Sequence, residues 1–207
     1  MNLTKLFETQ KALDERIVKE KGLEGVNLLT KKVRALLTEF GELSNEERSF
    51  KFWSEDRKPR TEHKVACHVC RGEGYFMMSV DNDDEENCGY CEGTGLQEDR
   101  NPLLEEYVDC LHFILSIGLE HEFDYHLPAV SIEPLICREY DIDTQFIMLM
   151  RADWDIYEED DAGHYQEGLE LFLGLGQIEM LGFTWEEIEN AYFEKNKINH
   201  SRQENNY

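Results

Sequence analysis

The sequence predicts an all-α helical bundle that carries one small inserted metal-binding ribbon, and three observations lead to that reading. Apolar residues recur at spacings of three and four through most of the chain. Alternation of apolar and polar residues is scarce and falls in one short stretch. Two Cys-x-x-Cys knuckles bracket that stretch and form the one internal repeat. At 207 residues the chain is long enough for one ordinary domain with an insertion.

The first helix is expected over residues 3–20, where Leu3, Leu6, Phe7, Leu13 and Ile17 share a face. The second, over 28–50, continues with Val33, Leu36, Leu37, Phe40 and Leu43. It ends in Arg48-Ser49-Phe50-Lys51-Phe52-Trp53, where Phe50 and Phe52 are expected in the core and Trp53 at a ligand. The third follows Asn101-Pro102, proline suiting a first helical turn, and carries Leu104, Tyr107, Val108, Leu111, Ile114, Leu115 and Gly118. A fourth is expected over 131–151, followed by an acidic loop over 153–161. A fifth should cover 164–180. The sixth opens at the capping box Thr184-Trp185-Glu186-Glu187 and runs to about Gln203.

Residues 62–98 differ from their surroundings. Cys67-His68-Val69-Cys70 and Cys88-Gly89-Tyr90-Cys91 lie 17 residues apart, the spacing of two knuckles closing one tetrahedral zinc site. Each is followed by the same glycine pattern, in Cys70-Arg71-Gly72-Glu73-Gly74 and Cys91-Glu92-Gly93-Thr94-Gly95. Such glycines let the backbone turn tightly and point N–H groups at sulfur. The repeated CxxCxGxG resembles half of a DnaJ-type cysteine-rich module. Disulfides or free thiols are the competing reading, and the N-terminus lacks the charged-then-apolar layout of a secretory signal that would favour disulfides. Four sulfurs complete a structural Zn²⁺ site, leaving His68 a bystander and no place for a catalytic water. Between the knuckles lie a β-like run, Tyr75-Phe76-Met77-Met78-Ser79-Val80, and the acidic turn 81–87. The insertion therefore reads as a hairpin ribbon, with 1–61 and 99–207 forming the main domain. Cys110 and Cys137 sit among apolar residues as buried small hydrophobes.

The charge narrows function. Twenty-one Lys and Arg stand against 45 Asp and Glu, a net −24. Bulk binding to nucleic acid needs a basic footprint that this chain lacks. The ribbon repeats the imbalance, with nine acids against Lys64 and Arg71. No run of about 18 uncharged apolar residues is present, so no membrane span is expected. A cytoplasmic acidic protein is the expectation.

Two acid pairs could hold a cation: Glu39-Phe40-Gly41-Glu42 and Glu106-Tyr107-Val108-Asp109. Roughly ten such pairs arise by chance at this composition, so a solvated face competes with a metal site. Context separates them. Acids three apart share a helix face, with Glu46 extending the first, and like charges there are destabilising unless a cation or water intervenes. The second pair sits in the most apolar helix, where its solvation would be costly. Two facing helices with two acids each would make a hard-oxygen cage for Mg²⁺ shared with substrate phosphates. The last helix adds a polar, partly cationic stripe: Tyr192, Lys195, Asn196, Asn199, Arg202 and Gln203, at offsets 0, 3, 4, 7, 10 and 11. It is either a solvated terminal helix or a surface for polyphosphate oxygens.

Several segments together resemble the dimeric all-α dUTPases, within the all-α NTP pyrophosphatase superfamily that includes MazG-type enzymes. They are Gln10-Lys11-Ala12-Leu13-Asp14, Glu39-x-x-Glu42, Phe50-Lys51-Phe52-Trp53-Ser54, Glu106-Tyr107-Val108-Asp109-Cys110-Leu111-His112-Phe113, Leu115-Ser116-Ile117-Gly118-Leu119 and Ala191-Tyr192-x-x-Lys195-Asn196-x-x-Asn199-x-x-Arg202-Gln203. The likeness covers essentially everything but the ribbon, in the type found in firmicute bacteria and their phages. Three departures stand out. The acid pairs are 63 residues apart, about 26 once the roughly 37-residue ribbon is subtracted. The chain ends Asn206-Tyr207 in place of Gly-Tyr, and Leu13-Asp14 stand where some members carry Asn for the base.

The resemblance implies hydrolysis of dUTP, and of dUDP, to dUMP. It implies that Glu39, Glu42, Glu106 and Asp109 hold Mg²⁺, which bridges the phosphates and activates a water that Glu39 orients or deprotonates. Lys51, Lys195 and Arg202 would bind phosphate oxygens, Gln10 and Asn199 uracil or deoxyribose, and Phe113 and Trp53 the ring faces, with His112 a structural neighbour. A homodimer is implied, and the likeness admits a regulatory protein partner. A pyrophosphatase for another nucleotide such as dCTP is the near alternative. A zinc-ribbon protein-binding module is the distant one, and it would need neither the acidic quartet nor the basic final helix.

Overall fold

The computed structural model describes residues 2–77, 85–126, 132–136, 141–155 and 162–204. Over these, seven helices and four short strands follow one another as α1 (Leu3–Lys21), α2 (Leu29–Glu47), β1 (His63–Ala66), β2 (Tyr75–Met77), β3 (Glu85–Asn87), β4 (Leu96–Arg100), α3 (Pro102–Glu120), α4 (Phe123–His126), α5 (Ile142–Arg151), α6 (Ala162–Gly176) and α7 (Trp185–Glu204). The protein is mostly helical, as the periodicity predicts. None of the described helices is long and apolar enough to cross a membrane.

Local chemistry sets the helix ends. The Asn2 side chain accepts from Lys5 N–H, and Gly22 at φ 63° closes α1. Asn101 accepts from Leu104 N–H at 3.1 Å, with Pro102 opening the first turn of α3. Asp141 caps α5 through Thr144 N–H at 3.0 Å. The capping box forms as expected: Thr184 N–H donates to Glu187 at 2.8 Å, and Glu187 N–H donates back to Thr184 Oγ1 at 3.3 Å.

Helix α3 is the axis of the bundle. Its buried residues, from Leu103 to Gly118, cover most of its circumference, and it packs against α1, α2, α4, α6 and α7. A helix apolar over most of its surface becomes the centre, and the strip left over, with Glu106, Asp109 and Phe113, is half-buried. Tyr107 stacks on Phe172 with centroids 4.3 Å apart, and each buried tyrosine hydroxyl finds a carbonyl: Tyr107 donates to Phe172 O, Tyr165 to Ile114 O. Gly118 lets Tyr165 and Phe7 approach the α3 backbone, since a Cβ there would overlap both rings.

Three helix expectations need correction. The fourth helix begins at Ile142, not at 131; residues 132–136, which include Pro134, are extended or irregular, and 137–140 lie outside the described residues. There the chain is held by tertiary bonds, Gln145 Nε2 donating to Leu135 O at 2.9 Å and Leu135 N–H to Glu170 O at 2.8 Å. The fifth stops at Gly176, because Leu181, Gly182 and Phe183 N–H groups turn back onto Leu175, Gln177 and Gly176 carbonyls. The second stops at Glu47, where Arg48 turns left-handed at φ 70°. That turn puts Phe50 and Phe52 outside the core, with Phe52 81% exposed. The expected core place of Cys110 holds, whereas Cys137, residues 78–84 and the acidic loop from 156 lie outside the described residues.

The ribbon consists of two two-stranded antiparallel ladders. β2 pairs with β3 in the register Tyr75 with Asn87, as the β-like run suggests. β1 pairs with β4, His63 opposite Arg100, a ladder that His-Lys-Val-Ala and Leu-Gln-Glu-Asp-Arg do not announce by alternation. The two knuckles are near-copies. Cys67 N–H donates to Gly95 O and Cys88 N–H to Gly74 O, at 2.8 and 2.7 Å. Gly74 and Gly95 N–H groups donate to Cys70 and Cys91 sulfur at 3.2 and 3.3 Å, with both glycines at positive φ.

Candidate active site

The two acid pairs meet where α2 crosses α3. Glu39, Glu42 and Glu106 each offer a carboxylate oxygen within 4.8 Å of the others. Asp109 stands one turn further along α3, and its Oδ2 lies 2.5 Å from Lys195 Nζ on α7. Partial burial pushes the Glu39 carboxyl up to about 7, reinforced by the neighbouring charges of Asp109, Glu42 and Glu106 and opposed by Lys195. Glu106 is pushed up to about 7 in the same way, by burial first and then by Asp109 and Glu42. Three converging carboxylate oxygens, with Glu39 and Glu106 pushed up by burial, form a hard-ligand set, and a divalent cation is what would relieve them.

Beside the acids, α1, α2, α3 and α7 enclose a cavity of about 290 Å³. Of the residues singled out in the sequence, Gln10, Glu39, Asp109, Phe113, Lys195, Asn199 and Arg202 line it. The α7 stripe thus faces inward. Tyr192 and Asn196 are buried beneath it, and Lys195 pairs with an acid of α3.

Two predicted contact residues are elsewhere. Lys51 and Trp53 are not on this wall. Lys51 Nζ reaches Asn45 O at 3.3 Å, and Trp53 is 66% exposed, edge-on to Phe50 and Phe52. The left-handed turn at Arg48 is the reason, since it ends α2 and sends the segment along the surface.

The sequence reading missed the polar network at the far end of the cavity. Gln10, only 4% exposed, has both ends of its amide in use. Its Nε2 donates to Asp14 Oδ1 at 2.7 Å, and its Oε1 lies 2.7 Å from His112 Nδ1 and 2.9 Å from Tyr192 Oη. Asp14 also takes Lys32 Nζ at 3.1 Å and the Ser116 hydroxyl. Asp14, His112, Ser116 and Gln203 all line the cavity. Asp14 and Gln10 lie one turn apart on α1, a spacing the sequence shows. Their partners His112 and Ser116 are each 102 residues away, which it does not. His112 stacks on Tyr192 at 4.3 Å, and burial, aided by Lys195, lowers its imidazole to about 3.

In the ribbon, one sulfur atom from each of Cys67, Cys70, Cys88 and Cys91 lies within 4.8 Å of the other three, and all four residues are buried and unbridged by disulfides. Four converging thiols with N–H donors behind them are compatible with Zn²⁺.

In comparison with known families, a family model described as dUTPase aligns with residues 2–87 and 92–207. Comparison with curated proteins gives no significant match. The alignment runs through both acid pairs, the cavity wall and the α7 stripe, with a break only at the second knuckle. The chain belongs to the dUTPase family, as an all-α enzyme that hydrolyses dUTP.

Proposed function

We propose that the α2–α3 acids and the adjoining cavity are the catalytic centre of a Mg²⁺-dependent dUTP diphosphatase, with Glu39, Glu42, Glu106 and Asp109 holding the metal. The observation that carries this reading is the convergence of Glu39, Glu42 and Glu106 oxygens at the rim of a cavity that Lys195 and Arg202 also line. When bound, Mg²⁺ would supply Lewis acidity and screen the charge of the phosphate oxygens. Glu39, placed both in the cluster and on the cavity wall, is the base. Its carboxylate, ionised once Mg²⁺ is bound, can accept the proton of a water attacking phosphorus and pass it on as pyrophosphate leaves. Lys195, released from Asp109 when substrate arrives, and Arg202 offer positive charge to the phosphate oxygens. Phe113 offers an apolar surface to the base, and Asn199 an amide to base or sugar. Lys51 and Trp53, exposed off the wall, have no part in this arrangement.

Residues 62–98 form an inserted ribbon whose four cysteines would hold a structural Zn²⁺, a unit apart from the catalytic domain. Its cysteine cluster is separate from the main hydrophobic core, which supports that division. The family reading extends to a homodimer in the cytoplasm, and the exposed apolar side chains Ile147 and Met150 on α5 support a second copy. Pyrophosphate release from dUTP and dCTP, and phosphate release from dUDP, with and without Mg²⁺ test the proposal. Glu42→Gln or Asp109→Asn should lose Mg²⁺-dependent turnover by orders of magnitude with circular dichroism unchanged. Near-native turnover in those variants would overturn it.

A further inference from the structure

The ribbon has its own cysteine core, but its stem is joined to the two helices that carry the acid pairs. Residues 61 and 62 alone lie between Arg60 and β1, and Asn101 alone lies between β4 and α3. A chain reaches at most about 3.5 Å per residue, so connections this short tie the stem to the helix ends.

Arg60 is the junction. Its N–H donates to Glu46 O in the last turn of α2 at 2.9 Å, and its carbonyl accepts Leu103 N–H in the first turn of α3 at 3.1 Å. The last carbonyls and first N–H groups of a helix lack partners inside it, so one residue completes both ends. The Arg60 guanidinium adds an ion pair, Nη1 lying 3.4 Å from Glu46 Oε1. At the other strand of the stem, Arg100 pairs with Glu105 in the first turn of α3 at 3.1 Å.

These helix ends need holding. Leu36, Phe40 and Leu43 anchor α2 in the core, but Ser44, Asn45, Glu46 and Glu47 follow them with no apolar side chain. Glu42 stands one turn before Glu46, and Glu106 three residues after Leu103, so the junction borders the acid cluster. Glu46 Oε2 is enclosed without a partner among the described residues, and its charge adds to those acting on Glu106. Without Arg60, a half-buried carboxylate would stand unpaired near another, and their repulsion would part the two helix ends.

We infer that Arg60 is a positioning residue through which the zinc-bound ribbon holds α2 and α3 at the spacing that lets Glu42 and Glu106 share one Mg²⁺. The inference rests on the proposals that the acids hold Mg²⁺ and the cysteines Zn²⁺. The β1–β4 ladder pairs only four residues with four, too few to persist alone, so its order depends on a metal closing the knuckles. Zinc loss then frees the stem, and Arg60 with it. Coupling between two sites is reciprocal, so Mg²⁺ should tighten zinc by the factor by which zinc tightens Mg²⁺.

Four forms of the full-length protein test this: zinc-loaded wild type, Cys88→Ser, Arg60→Gly and the double variant. Calorimetry should give a Mg²⁺ affinity about 10-fold lower in Cys88→Ser than in the wild type. Amide hydrogen exchange read by NMR should show the Arg60 and Leu103 N–H groups protected in the wild type and open in Cys88→Ser, with Leu111 and Leu115 unchanged. Arg60→Gly removes the guanidinium and loosens the backbone, so it should keep its zinc yet bind Mg²⁺ as weakly as Cys88→Ser. Adding Cys88→Ser to Arg60→Gly should cost nothing further, whereas an Arg60 that merely stabilises the fold would give losses that add. Chelator competition should show Mg²⁺ tightening zinc about 10-fold in the wild type and not in Arg60→Gly. Equal Mg²⁺ affinity in wild type and Cys88→Ser, or additive losses in the double variant, would overturn the inference alone. Absence of Mg²⁺ binding in all four forms would overturn it together with the catalytic reading.

Discussion

Metal binding by this site should be a proton-releasing reaction, with a size set by two carboxyls. Glu39 and Glu106 are both pushed up to about 7 by partial burial and by each other's acidic neighbours. A cation held by these oxygens requires them ionised, so protons and Mg²⁺ compete. Between pH 8 and pH 6 a group with a pKa near 7 goes from about one-tenth to about nine-tenths protonated, so apparent affinity should fall about tenfold per group, up to about 100-fold for the pair. At pH 7 binding should release about one proton, roughly half from each carboxyl. Calorimetry of Mg²⁺ binding in two buffers of different ionisation enthalpy measures both quantities. Glu106→Gln should remove about half of the release and flatten the pH dependence. An affinity equal at pH 6 and pH 8, or no proton release at pH 7, would refute the convergence of these acids on one cation. The sign for stability follows from the same shift. A carboxyl raised from 4.5 to about 7 binds its proton more tightly in the folded state than in the unfolded. The metal-free protein should therefore lose stability as pH rises through that interval, and Mg²⁺ should restore it.

Lys195→Met should lower kcat/KM for dUTP about 100-fold or more while the fold is kept, since it removes a cation aimed at the phosphate site, and steady-state kinetics checks this. Cys88→Ser should lose the bound zinc seen by native mass spectrometry, whereas Glu106→Gln should retain it; zinc retained in the cysteine variant would refute the four-sulfur site. Gly41, inside α2 with open space where a Cβ would sit, should gain about 0.5–1 kcal/mol on Gly41→Ala, read as a higher Tm. Gly174→Ala should lose about 1–3 kcal/mol or more, because its Cβ would strike the Leu135 backbone carbonyl, which cannot swing aside as a side chain can.

The sequence alone determined the features that short-range chemistry controls. Helix faces follow from apolar spacing, helix starts from Asn101-Pro102 and the Thr184–Glu187 box, and the four-cysteine cluster from two knuckles whose glycines aim N–H groups at sulfur. It also brought the acid pairs and the α7 stripe forward as candidates, because residues three and four apart must share a face. Its failures were at tertiary contacts. The chain over 132–136 is held by bonds to Gln145 and α6 rather than by helix propensity, and one left-handed residue at Arg48 carried Trp53 off the site.

Only the tertiary structure decided which acids converge, and why Glu39 and Glu106 resist ionising. Glu39, Glu42 and Glu106 meet because α2 packs across α3, whereas Asp109 faces Lys195 of α7. The pKa shifts arise from desolvation, which no local pattern carries. The chain from Lys32 through Asp14 and Gln10 to His112 joins α2, α1 and α3. A hydrogen bond between side chains 102 positions apart is a property of packing alone.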